Sequence, residues 1–433
     1  MHAPARPSLI RNRDFQKLWT AQTISVFGSQ VSALAIPLTA ALILKVDAFP
    51  FALLGTIEFL PFILFTLPAG AWVDRLRRRP ILISGDLGRA LALATIPAAY
   101  FIGALTIWQL YIVGFVTGTL TVFFDVANQS YLPSIVERDE LVEGNSKLQI
   151  SQSAAQIAGP GIAGYLVGIV TAPVAILLDS LSFVVSAFFV FLIRRPEPPV
   201  VQHLDESGKP KRSIFTEIRQ GLSFVLGHRS LRAISAATAT SNLFGSISGA
   251  IYILYFVKTL GLSPATIGIV FAIGNVGTLT GAVLANRAAR WFGLGPTIIA
   301  SIFIGSFGGL LIAIAPTGNE AIPFLIASGI FGGVSQMVYN INQVSYRQAI
   351  CPPRMQGRMN ATVRFLVWGT MPIGSIIGGI LGSTIGLHET IWVGAILGFM
   401  PAIFPFFSPV RYLRTMPEPV TDDADEGPSP AVV

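Results

Sequence analysis

The stretch Gly70-Ala71-Trp72-Val73-Asp74-Arg75-Leu76-Arg77-Arg78-Arg79-Pro80 sets five charges into eleven residues, with apolar sequence on both sides. Ahead of it the chain runs from Phe51 with Glu58 as its one charge, and a second apolar run starts behind it at Ile81. About 20 apolar residues are what a helix needs to cross the hydrocarbon of a bilayer. The charged stretch therefore reads as a tight turn between two membrane spans. Reversing the chain does not require five charges, so this turn is expected to make contacts of its own.

Composition extends the reading to the whole chain. Of 433 residues, 52% are hydrophobic and 12% charged, which excludes an ordinary soluble protein. Twelve apolar runs fall near 18–43, 50–73, 81–101, 107–132, 147–170, 172–193, 233–258, 264–287, 296–316, 321–347, 360–386 and 390–413. They predict an all-α membrane protein of twelve transmembrane helices. The net charge of +7 does not point to nucleic acid, because only Lys45 and Lys258 of the 29 basic residues fall in loops on the far side. By the positive-inside rule both termini are cytoplasmic and the protein lies in the cell membrane. The first apolar run is too long for a cleavable signal. Cys351 is the sole cysteine, and His2, His203, His228 and His388 are too scattered to hold a metal.

Polar groups inside spans are costly and mark function by default. Span 1 carries Gln22 and Gln30 among several hydroxyls, span 5 carries Gln152 and Gln156, and the later spans carry Asn242, Asn275, Gln336 and Asn340. These eight are the candidate lining of a wet cavity; hydrogen bonding to a neighbouring helix is the alternative reading of such groups. Glu58 in span 2 and Asp179 in span 6 lie deeper than the other carboxylates. Asp74, Asp86 and Asp125 sit near the membrane edge with Arg75, Arg78, Arg79 and Arg89, and read as one ionic network.

Residues 196–231 break the apolar pattern with Pro196, Pro198, Pro199, Lys209, Lys211 and Arg212. An amphipathic stretch with Ile214, Ile218, Leu222 and Val225 on one face follows, expected to lie on the membrane surface. The chain thus divides into a six-helix unit at 1–195, this linker, a second six-helix unit at 232–415 and an acidic, disordered tail at 416–433. The two units look like repeats. Tyr131 precedes Asn145 by fourteen residues as Tyr346 precedes Asn360, and each segment leads into a proline-bearing span, with Pro160 and Pro372. That arrangement predicts two pseudo-symmetric bundles about an axis along the membrane normal. Gly159, Pro160 and Gly164 in span 5, and Gly374, Gly378, Gly382 and Gly386 in span 11, are small residues at a spacing that suits close helix packing.

Enzyme signatures are missing, with no phosphate-binding glycine loop ending in Lys-Ser/Thr, no His/Cys metal set and no nucleophile paired with histidine. No cofactor is expected. Gly70-x-x-x-Asp74-Arg75-x-x-Arg78-Arg79 resembles the signature that follows the second helix of the major facilitator superfamily, with Arg77 where glycine is usual. Ala158-Gly159-Pro160-x-x-Ala163-Gly164 resembles that family's antiporter motif, with alanine at one glycine position. Leu67-Pro68-Ala69-Gly70, Asp179 to Phe183 and Gln356 to Asn360 are similar to the bacterial branch of macrolide-efflux and enterobactin-exporter-like proteins.

This resemblance implies the major facilitator fold and transport by alternating access. It implies a gate in which Asp74 meets the start of span 11 near Asn360 and Arg78 pairs with Asp125 when the cytoplasmic side is closed. Gly70, Asp86 and Arg89 belong to the same gating set. The expected function is proton-coupled export of a small amphipathic molecule, a drug or hydrophobic metabolite, by a monomer, with Glu58 and Asp179 as candidate proton carriers. Siderophore or lysolipid export is the alternative, and a non-transporting membrane sensor or scaffold is the alternative of another class.

Overall fold

The structure, a computed structural model, describes residues 9, 12–73, 75–197 and 214–417. Asp74, most of the proline-rich linker and all but the first two residues of the expected acidic tail lie outside the described residues. Twelve helical stretches are long and apolar enough to cross a membrane. Spans 1 to 6 are Arg13–Ile43, Ala48–Val73, Arg78–Phe101, Ile107–Ile135, Leu141–Val170 and Ala172–Phe191. Spans 7 to 12 are Arg229–Lys258, Pro264–Phe292, Leu294–Ala313, Gly318–Ala349, Met355–Thr384 and Leu387–Phe406. Helices satisfy their own backbone, so only helices or closed barrels cross hydrocarbon. Span 5 starts at Leu141 and not at 147, because Asn145, Ser146 and Lys147 continue the helix beyond its apolar part.

Several ends are fixed by local chemistry. Asn12 caps span 1 by accepting from the N–H groups of Asp14 and Phe15, both at 3.1 Å. Ser263 caps span 8, where Pro264 fills the first helical position, whose N–H would have no partner in the helix. Span 1 ends in a π-turn at Thr39–Ile43, and the chain then passes through Lys45 with φ 51°. The expected surface helix forms at Ile214–Gly227, but it docks on the protein. Val225 is buried with Met359 and Val363 of span 11, and Arg358 donates to the Gln220 amide oxygen at 2.7 Å. Cys351 is buried in the same cluster, and burial pushes its thiol up from the ordinary value, which leaves it unreactive.

Apolar packing shows how the two bundles meet. On the side away from the termini, one continuous buried cluster takes Ala35, Ala52 and Val167 from the first bundle and Leu254, Ile267 and Ile391 from the second. On the terminus side, among the described residues, the buried clusters belong to one bundle or the other. The halves are thus sealed on the far side and part toward the termini.

Glycines make the seal possible. A Cβ on Gly164 of span 5 would lie 2.8 Å from the Gly268 Cα of span 8. In span 11, a Cβ on Gly379 or Gly382 would lie 2.8 or 2.7 Å from the methyl groups of Ala52 and Ala48 of span 2. Gly374 and Gly378 instead pack on the span 7 backbone at Leu243 and Ile247, within their own bundle. Gly386 departs from the expected stripe: its φ of 106° forms the turn between spans 11 and 12, a conformation that suits glycine. Gly164→Leu is expected to cost about 1–3 kcal/mol by overpacking, read as a lower midpoint of thermal unfolding. Gly55→Ala, at a position where a Cβ meets nothing within 4 Å, should not lower it.

Candidate functional site

Two spans that join the halves are interrupted, and each interruption frees a backbone carbonyl. Pro160 lacks the N–H that would reach Gln156 four residues back. The Asn275 side chain of span 8 supplies the missing donor, 2.5 Å from the Gln156 oxygen, and so crosses between the bundles. Span 11 breaks at Gly369, between helices Pro353–Trp368 and Thr370–Thr384. There the Val367 oxygen accepts from Asn242 of span 7 at 2.9 Å and from the Thr370 hydroxyl at 2.8 Å. The Asn242 and Asn275 amides, expected as cavity lining, are therefore committed to backbone repair. A polar residue in a span does not reveal by its identity which of the two tasks it has.

The remaining cavity candidates divide in the same way. Gln22 donates to Asn128 of span 4, inside the first bundle. Gln30 packs over Gly159, where a Cβ would lie 2.5 Å from its own Cβ. Gln156, Gln336 and Asn340 are exposed and Gln152 is half-buried. Asn145, Gln149, Gln152 and Gln156 recur every three or four residues, which places them on one face of span 5.

The charged turn is bound to its own half. Glu197, just past span 6, accepts from the Arg78 N–H at 2.7 Å and the Arg79 N–H at 3.3 Å, and lies 3.4 Å from the Arg78 guanidinium. A carboxylate at a helix N-terminus satisfies free N–H groups and opposes the positive end of the dipole. Arg79 donates to the Phe191 carbonyl at 2.5 Å. In the state described, Arg78 pairs with Glu197 at the start of span 3, and Asp125 lies exposed in span 4; the pairing of Arg78 with Asp125 is expected for the state closed on the cytoplasmic side. Arg75 is exposed, and a Cβ on Gly70 would meet nothing within 4 Å. Sequence reading missed Glu197; its one signal was an acidic residue between two prolines directly after a span.

Asp86 and Arg89 are also separate from the turn, about 12 Å of helix from Arg78 to Asp86 at 1.5 Å per residue. They pair with each other at 2.5 Å, both buried. The Arg89 guanidinium lies between the rings of Phe124 and Phe183, 4.2 and 4.1 Å from their centroids. Asp179 is buried one helix away and accepts from the Ser182 hydroxyl at 3.0 Å. Gly28 of span 1 leaves room for it, since a Cβ there would fall 2.5 Å from the Asp179 oxygen. This cluster lies among spans 1, 3, 4 and 6 and not between the halves.

Glu58 has a different setting. Its side chain packs over Gly114 of span 4, whose Cβ would fall 2.7 Å from the Glu58 Cγ. The next residue, Phe59, meets Trp368 of span 11 edge-on at 5.9 Å across the seam, while the Glu58 side chain packs within its own bundle against span 4. On the far side the halves are tied by polar contacts. Lys258 donates to the Val46 carbonyl at 2.8 Å, and the Phe49 N–H donates to the Ser383 hydroxyl at 3.0 Å.

Comparison with known proteins agrees with this architecture. The family model described as transmembrane secretion effector matches residues 5–425. Macrolide efflux protein A of Streptococcus pyogenes is 24% identical over 407 residues, covering 92% of this chain and 97% of that protein. The multidrug efflux pump Tap of Mycolicibacterium fortuitum is 25% identical over 377 residues, covering 82% of this chain and 88% of that pump. A crystal structure of a bacterial homologue of the iron transporter ferroportin in its inward-facing state shares the fold, with a TM-score of 0.73 at 17% identity over 92% of this chain and 99% of that one. With twelve spans in two bundles and a family match that omits only the two ends, the chain belongs to the transmembrane secretion effector family of major facilitator transporters and is not an enzyme.

Proposed function

We propose that this protein exports small amphipathic molecules from the cytoplasm in exchange for protons, by alternating access. The observation that carries the reading is the cleft itself, sealed on the far side by one apolar cluster shared between bundles and parted on the side of the termini. The positive-inside distribution places that side in the cytoplasm, so a cytoplasmic molecule enters the state described. The names of the relatives, a macrolide efflux protein and a multidrug efflux pump, support outward transport of small drug-like cargo. Amide groups and aromatic rings in the spans suit a substrate with both polar and apolar parts.

Glu58 and Asp179 are the proposed proton carriers. Glu58 directly precedes the seam residue Phe59 in sequence and has no hydrogen bond to its carboxylate among the described residues. Asp179 acts through the Asp86–Arg89 pair, which shares its bundle core. Opening the far side requires Lys258 to leave Val46 and Ser383 to leave Phe49, while Asp74 is proposed to meet span 11 once the cytoplasmic side closes.

Everted vesicles with an imposed pH gradient are expected to accumulate at least one member of a labelled panel that includes a macrolide, and a protonophore should abolish the uptake. Uptake of none would defeat the export reading. Glu58→Gln and Asp179→Asn should each lower gradient-driven uptake by about tenfold or more, equivalent to about 1.4 kcal/mol or more; a variant that keeps the full rate removes that residue from coupling. A cysteine at Gln156 in a Cys351→Ser background should react with an impermeant thiol reagent in everted vesicles and resist it in right-side-out cells. Equal labelling from both sides would contradict the proposed orientation of the cleft.

A further inference from the structure

Arg364 is a positive charge within span 11 that the transport reading leaves without a task. It lies four residues into the apolar run that starts near 360, about 6 Å along the helix at 1.5 Å per residue. Its guanidinium stacks on the Trp368 ring, 4.3 Å from the centroid. Residues four apart share a helix face, so Arg364 and Trp368 look the same way. Trp368 looks across the seam, edge-on to Phe59 of span 2, and Phe59 stacks on Phe62 at 5.7 Å. Arg364 therefore sits one turn nearer the termini than the last aromatic contact between the halves, on the wall of the cleft. Arg364 is exposed there, next to exposed Asn360 on the same helix. A guanidinium at that depth on the lipid face would be costly.

Among the described residues no carboxylate lies within ion-pair distance of Arg364. It is thus a charged donor over an indole ring, beside an aromatic contact between the halves, with no ion pair among the described residues. Such a surface recognises a planar or bulky apolar body that carries an anionic oxygen pair. The guanidinium fork matches a carboxylate in geometry and charge, and the rings cover the apolar part. A cationic group at the same point would be repelled.

Resting on the export reading and narrowing it, we infer that the cleft binds amphipathic carboxylates, with Arg364 stacked on Trp368 as the residue that receives the carboxylate. Titration calorimetry of the purified protein in nanodiscs with N-dansyl-leucine and with its uncharged amide isolates the charge. The wild-type protein should bind the acid about tenfold more tightly than the amide, equivalent to about 1.4 kcal/mol. Arg364→Gln should abolish that preference and leave the affinity for the amide unchanged. Arg364→Lys keeps the charge without the fork and should retain a reduced preference, which also covers the case in which the glutamine variant does not fold. Equal affinity of wild type for both probes, binding of neither, or an undiminished preference in Arg364→Gln overturns the inference. Those outcomes leave the export reading in place, because it stands or falls on wild-type uptake in vesicles.

Discussion

A backbone carbonyl in hydrocarbon needs a donor, and much of this structure follows from that need. Pro160 and the break at Gly369 each free a carbonyl in a span that borders the opposite bundle. The two repairs differ in kind. Asn242 reaches Val367 within its own bundle, so the break in span 11 is held locally. Asn275 reaches Gln156 across the seam, so span 5 is completed by the other half of the molecule. Movement of the bundles must preserve this second contact as a pivot or replace its donor. The close approach of Gly164 and Gly268, two turns along span 5, favours a pivot, since backbones in contact can roll without opening a void.

Charge ties the first bundle together. Glu197 ties the start of span 3 to the end of span 6, and Asp14 accepts from Lys17 at 2.7 Å and from the Arg195 N–H at 3.0 Å, which ties span 1 to the same place. Arg89 is enclosed by Asp86 and two aromatic rings. Removing one partner of such a buried pair leaves an uncompensated charge, a loss of about 3–5 kcal/mol. In the state described these ties lie within the first bundle, and the charged contact between the halves is on the far side, where Lys258 lies 3.9 Å from Asp47. Unequal rigidity of this kind is what a rocking mechanism needs, with two bodies stiff inside and separable between.

Much of the fold was legible because hydropathy and helix length are read residue by residue. The twelve spans, the division into halves and the packing role of Gly164 follow from local pattern. What was not legible depends on partners far away in sequence. Pro160 alone announces that the Gln156 carbonyl is free, but nothing nearby identifies Asn275, 119 residues on, as its donor. The same limit made Asn242 look like cavity lining and hid Glu197 behind the more conspicuous Asp125. Asp86 and Arg89 read as part of the charged turn because both lie early in span 3, whereas two further turns of helix carry them into the bundle core.

The two halves also divide the chemistry. Deep carboxylates, Glu58 and Asp179, belong to the first bundle, while Arg364, a guanidinium with no ion pair among the described residues, belongs to the second, beside the seam with the first. Closing the terminus side would draw water away from Arg364 as span 11 approaches Phe62 on span 2. Desolvating an unpaired charge costs several kcal/mol, so an empty cleft resists closure. An anionic cargo on Arg364 supplies the missing partner and lowers that cost, which makes closure depend on occupancy.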